Sequence, residues 1–259
     1  MIIDGKVIAG KILAELKKLP KPATELAAVY VGDDPASASF LRQKAKIADE
    51  LGVAFHLHKF ESSIAEKDLI GAIQKLGEDK TVGGIIIQLP LPEKFNREGV
   101  IAAMDPAKDI DALLPGAKVA PLAVEVVKDV LKEVGWLIEN KKVGVVGRGV
   151  LIGEPVAKWL SGKCKDLIIF HTGTDLARIK ECDLVISGAG RAGLIKPEML
   201  KPGAGVIDFG FDMKNGKISG DLEISSVSDS ASLAFYTPTP GGTGPILVAE
   251  IFKNFYKLS

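Results

Sequence analysis

The strongest constraint on this 259-residue chain is a set of short apolar runs that are continuous, not alternating. "ELAAVYVG", "GGIIIQLPL", "KVGVVGRG", "DLIIFHTG", "CDLVISGAG" and "AGVIDFG" each place apolar residues at consecutive positions. A strand with one wet face alternates polar and apolar residues, whereas a parallel strand covered on both faces does not. "VAFHLHKF" reads as a further strand. Helical patterns separate the runs: Pro35–Leu51, a stretch near Glu66–Leu76, "PLAVEVVKDVLKEVG", and Ile246–Tyr256. Strands alternating with helices predict an α/β fold built on parallel sheets.

Two breaker clusters divide the chain. "LLPGAKVAP" collects Pro and Gly near Leu114–Val119, and "TPTPGGTGP" precedes the last helix. That helix is too short to be a domain, so it is expected to pack back on the first half. The expected organisation is two α/β domains separated by a cleft: residues 1–116 with 243–259, and residues 117–242.

Composition excludes several classes. Thirty-three basic residues balance thirty-three acidic ones, which argues against a general nucleic-acid or anionic-membrane surface. The N-terminus lacks a signal-peptide pattern, and no apolar run is long enough to span a bilayer. Cys164 and Cys182 lack metal-ligand spacing and read as small buried thiols in a reducing cytoplasm. His56 and His58 share one face of a strand but have no third ligand, so they read as ordinary strand residues near an edge and no metal is expected. Trp136 and Trp159 read as packing residues.

One helix carries an anomaly. Asp34 and Pro35 start it and Gly52 ends it. Around its axis Lys44 falls among Phe40, Leu41, Ala45, Ile47, Ala48 and Leu51, the only charged side chain on the apolar arc. Gln88 ends the strand "GGIIIQLPL", and Pro90 and Pro92 then turn the chain out of the sheet. Asp109 and Asp111 follow in "DPAKDIDALLP". Taken singly, these are a snorkelling lysine, a strand-terminal amide and a loop carboxylate. Together they supply a tunable base, an amide to orient it and an anionic anchor.

The second half carries a strand, a glycine-rich turn and a helix start in "KVGVVGRGVLIGEP". Gly147, Gly149 and Gly153 suit the close approach of a pyrophosphate. The next strand ends in Ile169, Phe170, His171 and Thr172, without the carboxylate that holds a ribose 2′-hydroxyl in NAD sites. Arg148, with His171 or Thr172, suits a 2′-phosphate, so NADP is the expected cofactor.

These residues resemble the bifunctional methylenetetrahydrofolate dehydrogenase/cyclohydrolase family. "VGDDPAS" with Lys44, "IIIQLPLP", "PAKDID", "VVGRGVLIGEP", "FHTGT", "CDLVISGAG", "KPGAGVIDFGFD" and "TPTPGGTGP" occur in the family's order through nearly the whole chain. The resemblance implies a Rossmann-type NADP-binding second domain and two linked reactions. NADP⁺ takes a hydride from 5,10-methylenetetrahydrofolate, and water then converts the methenyl product to 10-formyltetrahydrofolate. It implies that Lys44 is the general acid/base, that Gln88 holds it, and that Asp111 anchors the pterin. Phe40 stands at a substrate-stacking position, and Pro240, Gly241 and Gly242 form a turn near the folate. Gly147, Arg148, Gly149, Thr172 and Phe211 match cofactor contacts, and a cytoplasmic homodimer is implied.

The chain departs from the family pattern at Phe40, where tyrosine is usual, and at Ala112–Leu114, Ala120–Leu122 and Asp212. A monofunctional dehydrogenase that has lost the hydrolytic step is therefore the alternative reading. A non-catalytic NADP-binding module is a third.

Overall fold

The computed structural model describes residues 1–214, 217–223 and 233–259. Helices and parallel strands alternate along the chain, which divides into two compact units. One comprises Lys11–Pro121 with Val248–Ser259, the other Met1–Gly10 with Leu122–Leu247. The divisions fall inside helix α1 (Gly5–Leu16) and inside the last helix, α7 (Thr243–Leu258).

The Lys11–Pro121 unit holds a three-stranded parallel sheet. Its strands are β1 (Glu25–Val31), β2 (Phe55–Phe60) and β3 (Val82–Ile87), in the order β2-β1-β3. Helices α2 (Pro35–Leu51), α3 (Glu66–Glu78) and α4 (Arg97–Ala102) connect and follow them. β1 is central, and Leu26 through Val31 are all buried, as its unbroken apolar run requires. The core on one side gathers Val29, Leu69, Ile73, Ile85 and Val100. β2 departs from the fully buried pattern: it is an edge strand with His56, Leu57 and Lys59 exposed. His56 Nδ1 lies 3.3 Å from Glu25 Oε2, and no metal-ligand cluster occurs among the described residues. Helix α7 starts and ends beyond the expected 246–256. Its Asn254 side chain donates to the carbonyls of Ile110 and Ala120, both at 3.0 Å.

The other unit is built on a five-stranded parallel sheet. The strands are β4 (Lys142–Val146), β5 (Asp166–Phe170), β6 (Leu184–Ser187), β7 (Gly205–Asp208) and β10 (Phe235–Tyr236), ordered β10-β7-β6-β4-β5. A small antiparallel pair, β8 (Asp212–Lys214) with β9 (Lys217–Ser219), follows β7. Helices α5 (Leu122–Val134) and α6 (Gly153–Leu160) precede and follow β4. The chain passes from β4 through α6 to β5 on one side, then returns to pair β6 on the other. This divergence is a topological switch point, where open α/β sheets bind ligands. Trp136 packs edge-on against Phe235 with ring centroids 5.0 Å apart. Both cysteines are free. Cys182 is buried as expected, whereas Cys164 is only partly so.

Candidate active site

In the Lys11–Pro121 unit the site begins with helix α2. The Asp34 carboxylate accepts the Ser37 N–H at 2.7 Å, and Gly52 ends the helix in the left-handed conformation at φ +67°. The buried stripe is Ser37, Leu41, Lys44, Ala48 and Leu51, while Ala45 is exposed. Lys44 is thus the centre of the buried face, at 7 % exposure. Its Nζ donates to Gln88 Oε1 at 2.9 Å. Gln88 immediately follows β3, and its Nε2 donates to the Leu89 carbonyl at 2.7 Å. That second bond fixes the amide, since only its oxygen can accept from an ammonium group.

Burial pushes the Lys44 pKa down, and the negative charge of Asp111 partly opposes the shift. Asp111, half-buried, is pushed up to about 6 by burial; Lys44 pulls it down and Asp109 pushes it further up. The structure therefore couples Lys44, Gln88 and Asp111. Asp109 is fully buried. Its Oδ2 accepts the Leu114 N–H at 2.7 Å, closing a loop in which Ala112 takes a left-handed φ of +54°. Ala112 is the only described non-glycine residue with positive φ. Such strain persists only where surrounding contacts impose it. Phe40, one turn before Lys44, is half-buried.

In the other unit the glycine turn follows β4. Gly147 has φ +99°, and a Cβ there would lie 2.8 Å from the Gly188 carbonyl oxygen. A Cβ on Gly153, the first residue of α6, would collide with the Gly147 carbonyl. Gly149 has nothing within 4 Å of its Cβ direction, so the turn is open where a ligand would approach. Arg148 and Thr172 are exposed, as is His171, whose Nδ1 lies 2.8 Å from the Thr172 carbonyl. Phe211, just before β8, is half-buried. The Pro240–Gly242 turn is set by two backbone bonds: Gly5 N–H to Gly241 O at 2.9 Å, and Gly242 N–H to Pro238 O at 2.7 Å.

Sequence reasoning missed a buried polar cluster at the carboxyl end of this sheet. Ser187, Asp208, Asp221 and Thr237 are all fully buried. Asp208 is pushed up to about 7, mainly by burial, with the Leu222 N–H opposing the shift and Asp221 adding to it. Isolated acids in loops carry no periodic signal; only the position of Ser187 and Asp208 at strand ends hinted at this cluster.

The fold and the two clusters define a two-unit α/β protein of the dehydrogenase type, with an open glycine turn after β4 in one unit and a buried lysine bonded to an amide in the other. Residues 3–111 match the catalytic-domain model of the tetrahydrofolate dehydrogenase/cyclohydrolase family, and residues 121–259 match its NAD(P)-binding-domain model. The chain is 35% identical to the bifunctional protein FolD of Halothermothrix orenii over 99% of this chain and 96% of that protein. It is 34% identical to the FolD of Bacillus subtilis with the same coverage. The crystal structure of the bifunctional FolD of Campylobacter jejuni superposes with a TM-score of 0.91 at 30% identity, covering 100% of this chain and 98% of that one. The Trypanosoma brucei enzyme, solved with NADP and an inhibitor, gives a TM-score of 0.92 at 27% identity, covering 100% and 96%.

The chain belongs to the tetrahydrofolate dehydrogenase/cyclohydrolase family. It is an NADP-dependent enzyme that oxidises 5,10-methylenetetrahydrofolate to the methenyl compound and hydrolyses that to 10-formyltetrahydrofolate. The comparisons favour this bifunctional reading over loss of the second activity.

Proposed function

We propose that Lys44 is the general acid/base of the hydrolytic step, that Gln88 holds and tunes it, and that Asp111 anchors the pterin. The observation that carries this is a lysine at 7 % exposure whose Nζ meets Gln88 at 2.9 Å beside a carboxylate. A lysine whose proton is loosened by burial can exchange it near neutrality. Neutral Lys44 takes a proton from water as the oxygen bonds to the methenyl carbon. The resulting ammonium returns the proton to the ring nitrogen as its bond to that carbon breaks, and the hydroxyl on the carbon loses its own proton to solvent, leaving the formyl C=O. Gln88, locked by its bond to the Leu89 carbonyl, keeps Nζ aimed through the cycle.

The residues of the other unit fit a dinucleotide. The open space at Gly149, the tight packing at Gly147 and Gly153, and the exposed Arg148 and Thr172 suit a pyrophosphate and a ribose 2′-phosphate. When bound, NADP supplies the hydride acceptor of the first reaction. Phe211 contributes to the same site. Phe40 stacks on the folate, and the family resemblance assigns the Pro240–Gly242 turn a folate contact. The unit with Lys44 is the substrate domain.

The enzyme works in the cytoplasm as a homodimer. Two free thiols support the first statement. An edge strand with Leu57 47% exposed, of a kind usually covered, supports the second. No described helix is long and apolar enough to cross a membrane.

Lys44→Met tests the assignment. Hydrolysis of methenyltetrahydrofolate is expected to fall by about 10²-fold or more, with NADP⁺ binding unchanged. Full hydrolytic activity in that variant would overturn it.

A further inference from the structure

The unit with the glycine turn contains a fully buried carboxylate that neither reaction uses. Asp221 accepts three hydrogen bonds: from Ser187 Oγ at 2.5 Å, from Ala189 N–H at 2.7 Å and from Arg191 N–H at 2.7 Å. Ser187 ends β6, so all three donors belong to the strand end and the loop 188–191 after it. A buried carboxylate is tolerated only when its oxygens are matched by donors. Here two of the donors are backbone N–H groups two residues apart, so the carboxylate fixes the path of the loop itself.

That loop touches the cofactor turn. A Cβ on Gly188 would lie 2.6 Å from Ile152 Cγ2, and a Cβ on Gly147 would lie 2.8 Å from Gly188 O. β6 and β4 are neighbours, and the chain diverges between them. The loop therefore borders the switch point, where the sheet presents its ligand site. Asp221 is itself held in place. The neighbouring Leu222 N–H donates to Asp208 Oδ2 at 2.9 Å, and Gly210 N–H donates to Asp208 Oδ1 at 2.7 Å. Asp208 N–H donates to Thr237 Oγ1 at 2.7 Å, and its carbonyl accepts Thr243 Oγ1 at 2.8 Å.

We propose that Asp221 is a positioning residue for the dehydrogenase reaction: it sets the 188–191 loop against the Gly147–Gly153 turn and so shapes the cofactor site without touching the cofactor. This rests on reading the glycine turn as that site.

The two activities of the enzyme provide the control, because hydrolysis of methenyltetrahydrofolate consumes only water. In full-length Asp221→Asn, one carboxylate oxygen becomes an NH₂ group facing a loop donor. The KM for NADP⁺ is expected to rise about tenfold or more, with a smaller change in kcat, while hydrolysis assayed without NADP⁺ stays within about twofold of the parent. Ser187→Ala removes one of the three bonds and carries the test alone if Asp221→Asn does not fold. Its NADP⁺ KM is expected to rise by a few-fold. A parallel loss of both activities, or an unchanged NADP⁺ KM, would overturn the positioning role.

Gly149→Val separates this from the reading beneath it, since the new side chain enters only open space. Unchanged NADP⁺ affinity in Gly149→Val would overturn the turn as the cofactor site, and the positioning role with it. Weakened affinity there with an unchanged KM in Asp221→Asn and Ser187→Ala would overturn only the positioning role.

Discussion

At the scale of single residues, the chemistry depends on charges placed where water is scarce. Asp111 is pushed up to about 6. If its ionised form holds the pterin, kcat/KM falls as pH drops through about 6, and pH–rate profiles of Asp111→Asn lose that limb. Linkage runs the other way. A carboxyl whose folded pKa lies above its unfolded value gives stability that is present below the unfolded value and lost as pH rises through the folded one. The melting temperature of the parent should therefore fall relative to that of Asp111→Asn as pH rises from about 4 to about 6. Ala112 pays for its left-handed backbone, a conformation costing about 1–2 kcal/mol for a residue with a Cβ. Ala112→Gly trades that strain for chain entropy of about 0.5–1 kcal/mol. A small rise in melting temperature is expected, and a clear fall would refute the strain. Lys44 was legible in the sequence because helical spacing alone put a cation on an apolar arc. Asp109 was legible as a loop carboxylate but not as the buried acceptor of the Leu114 N–H, and Asp221 was not legible, because most of their partners are backbone groups of loops whose paths no periodicity encodes.

At the scale of elements, α2 and the glycine turn carry most of the positioning. The Asp34 cap fixes the start of the helix that delivers Lys44 to Gln88. Asp34→Ala is expected to cost about 1 kcal/mol in denaturant unfolding. At the turn, a Cβ on Gly153 would collide with the Gly147 carbonyl. Gly153→Ala must therefore move the turn, and NADP⁺ binding is expected to weaken while methenyltetrahydrofolate hydrolysis persists. Long elements were readable: Pro35–Leu51 follows from its caps and periodicity, and the central strands from their unbroken apolar runs. The pair β8 and β9 and the two-residue β10 were not. Strands of two or three residues are too short to establish a period, and their existence depends on neighbours distant in sequence. β2 was readable as a strand near an edge, because His56, His58 and Lys59 interrupt its apolar run, but its pairing with β1 was not, because sheet order is set by tertiary contacts.

At the scale of the whole molecule, the proposed roles fall to different units. One holds the buried Lys44–Gln88–Asp111 group, and the other holds the open glycine turn braced by Asp221. The family was legible because its motifs run in order through both halves, and the matches at 3–111 and 121–259 cover the same ground. The most direct measurement is to give the purified protein 5,10-methylenetetrahydrofolate and NADP⁺ and to resolve the products over time. NADPH should form, and the methenyl compound should rise and then decay to 10-formyltetrahydrofolate faster than it does without protein. Absence of NADPH, or decay of the methenyl compound at its uncatalysed rate, would contradict a bifunctional enzyme.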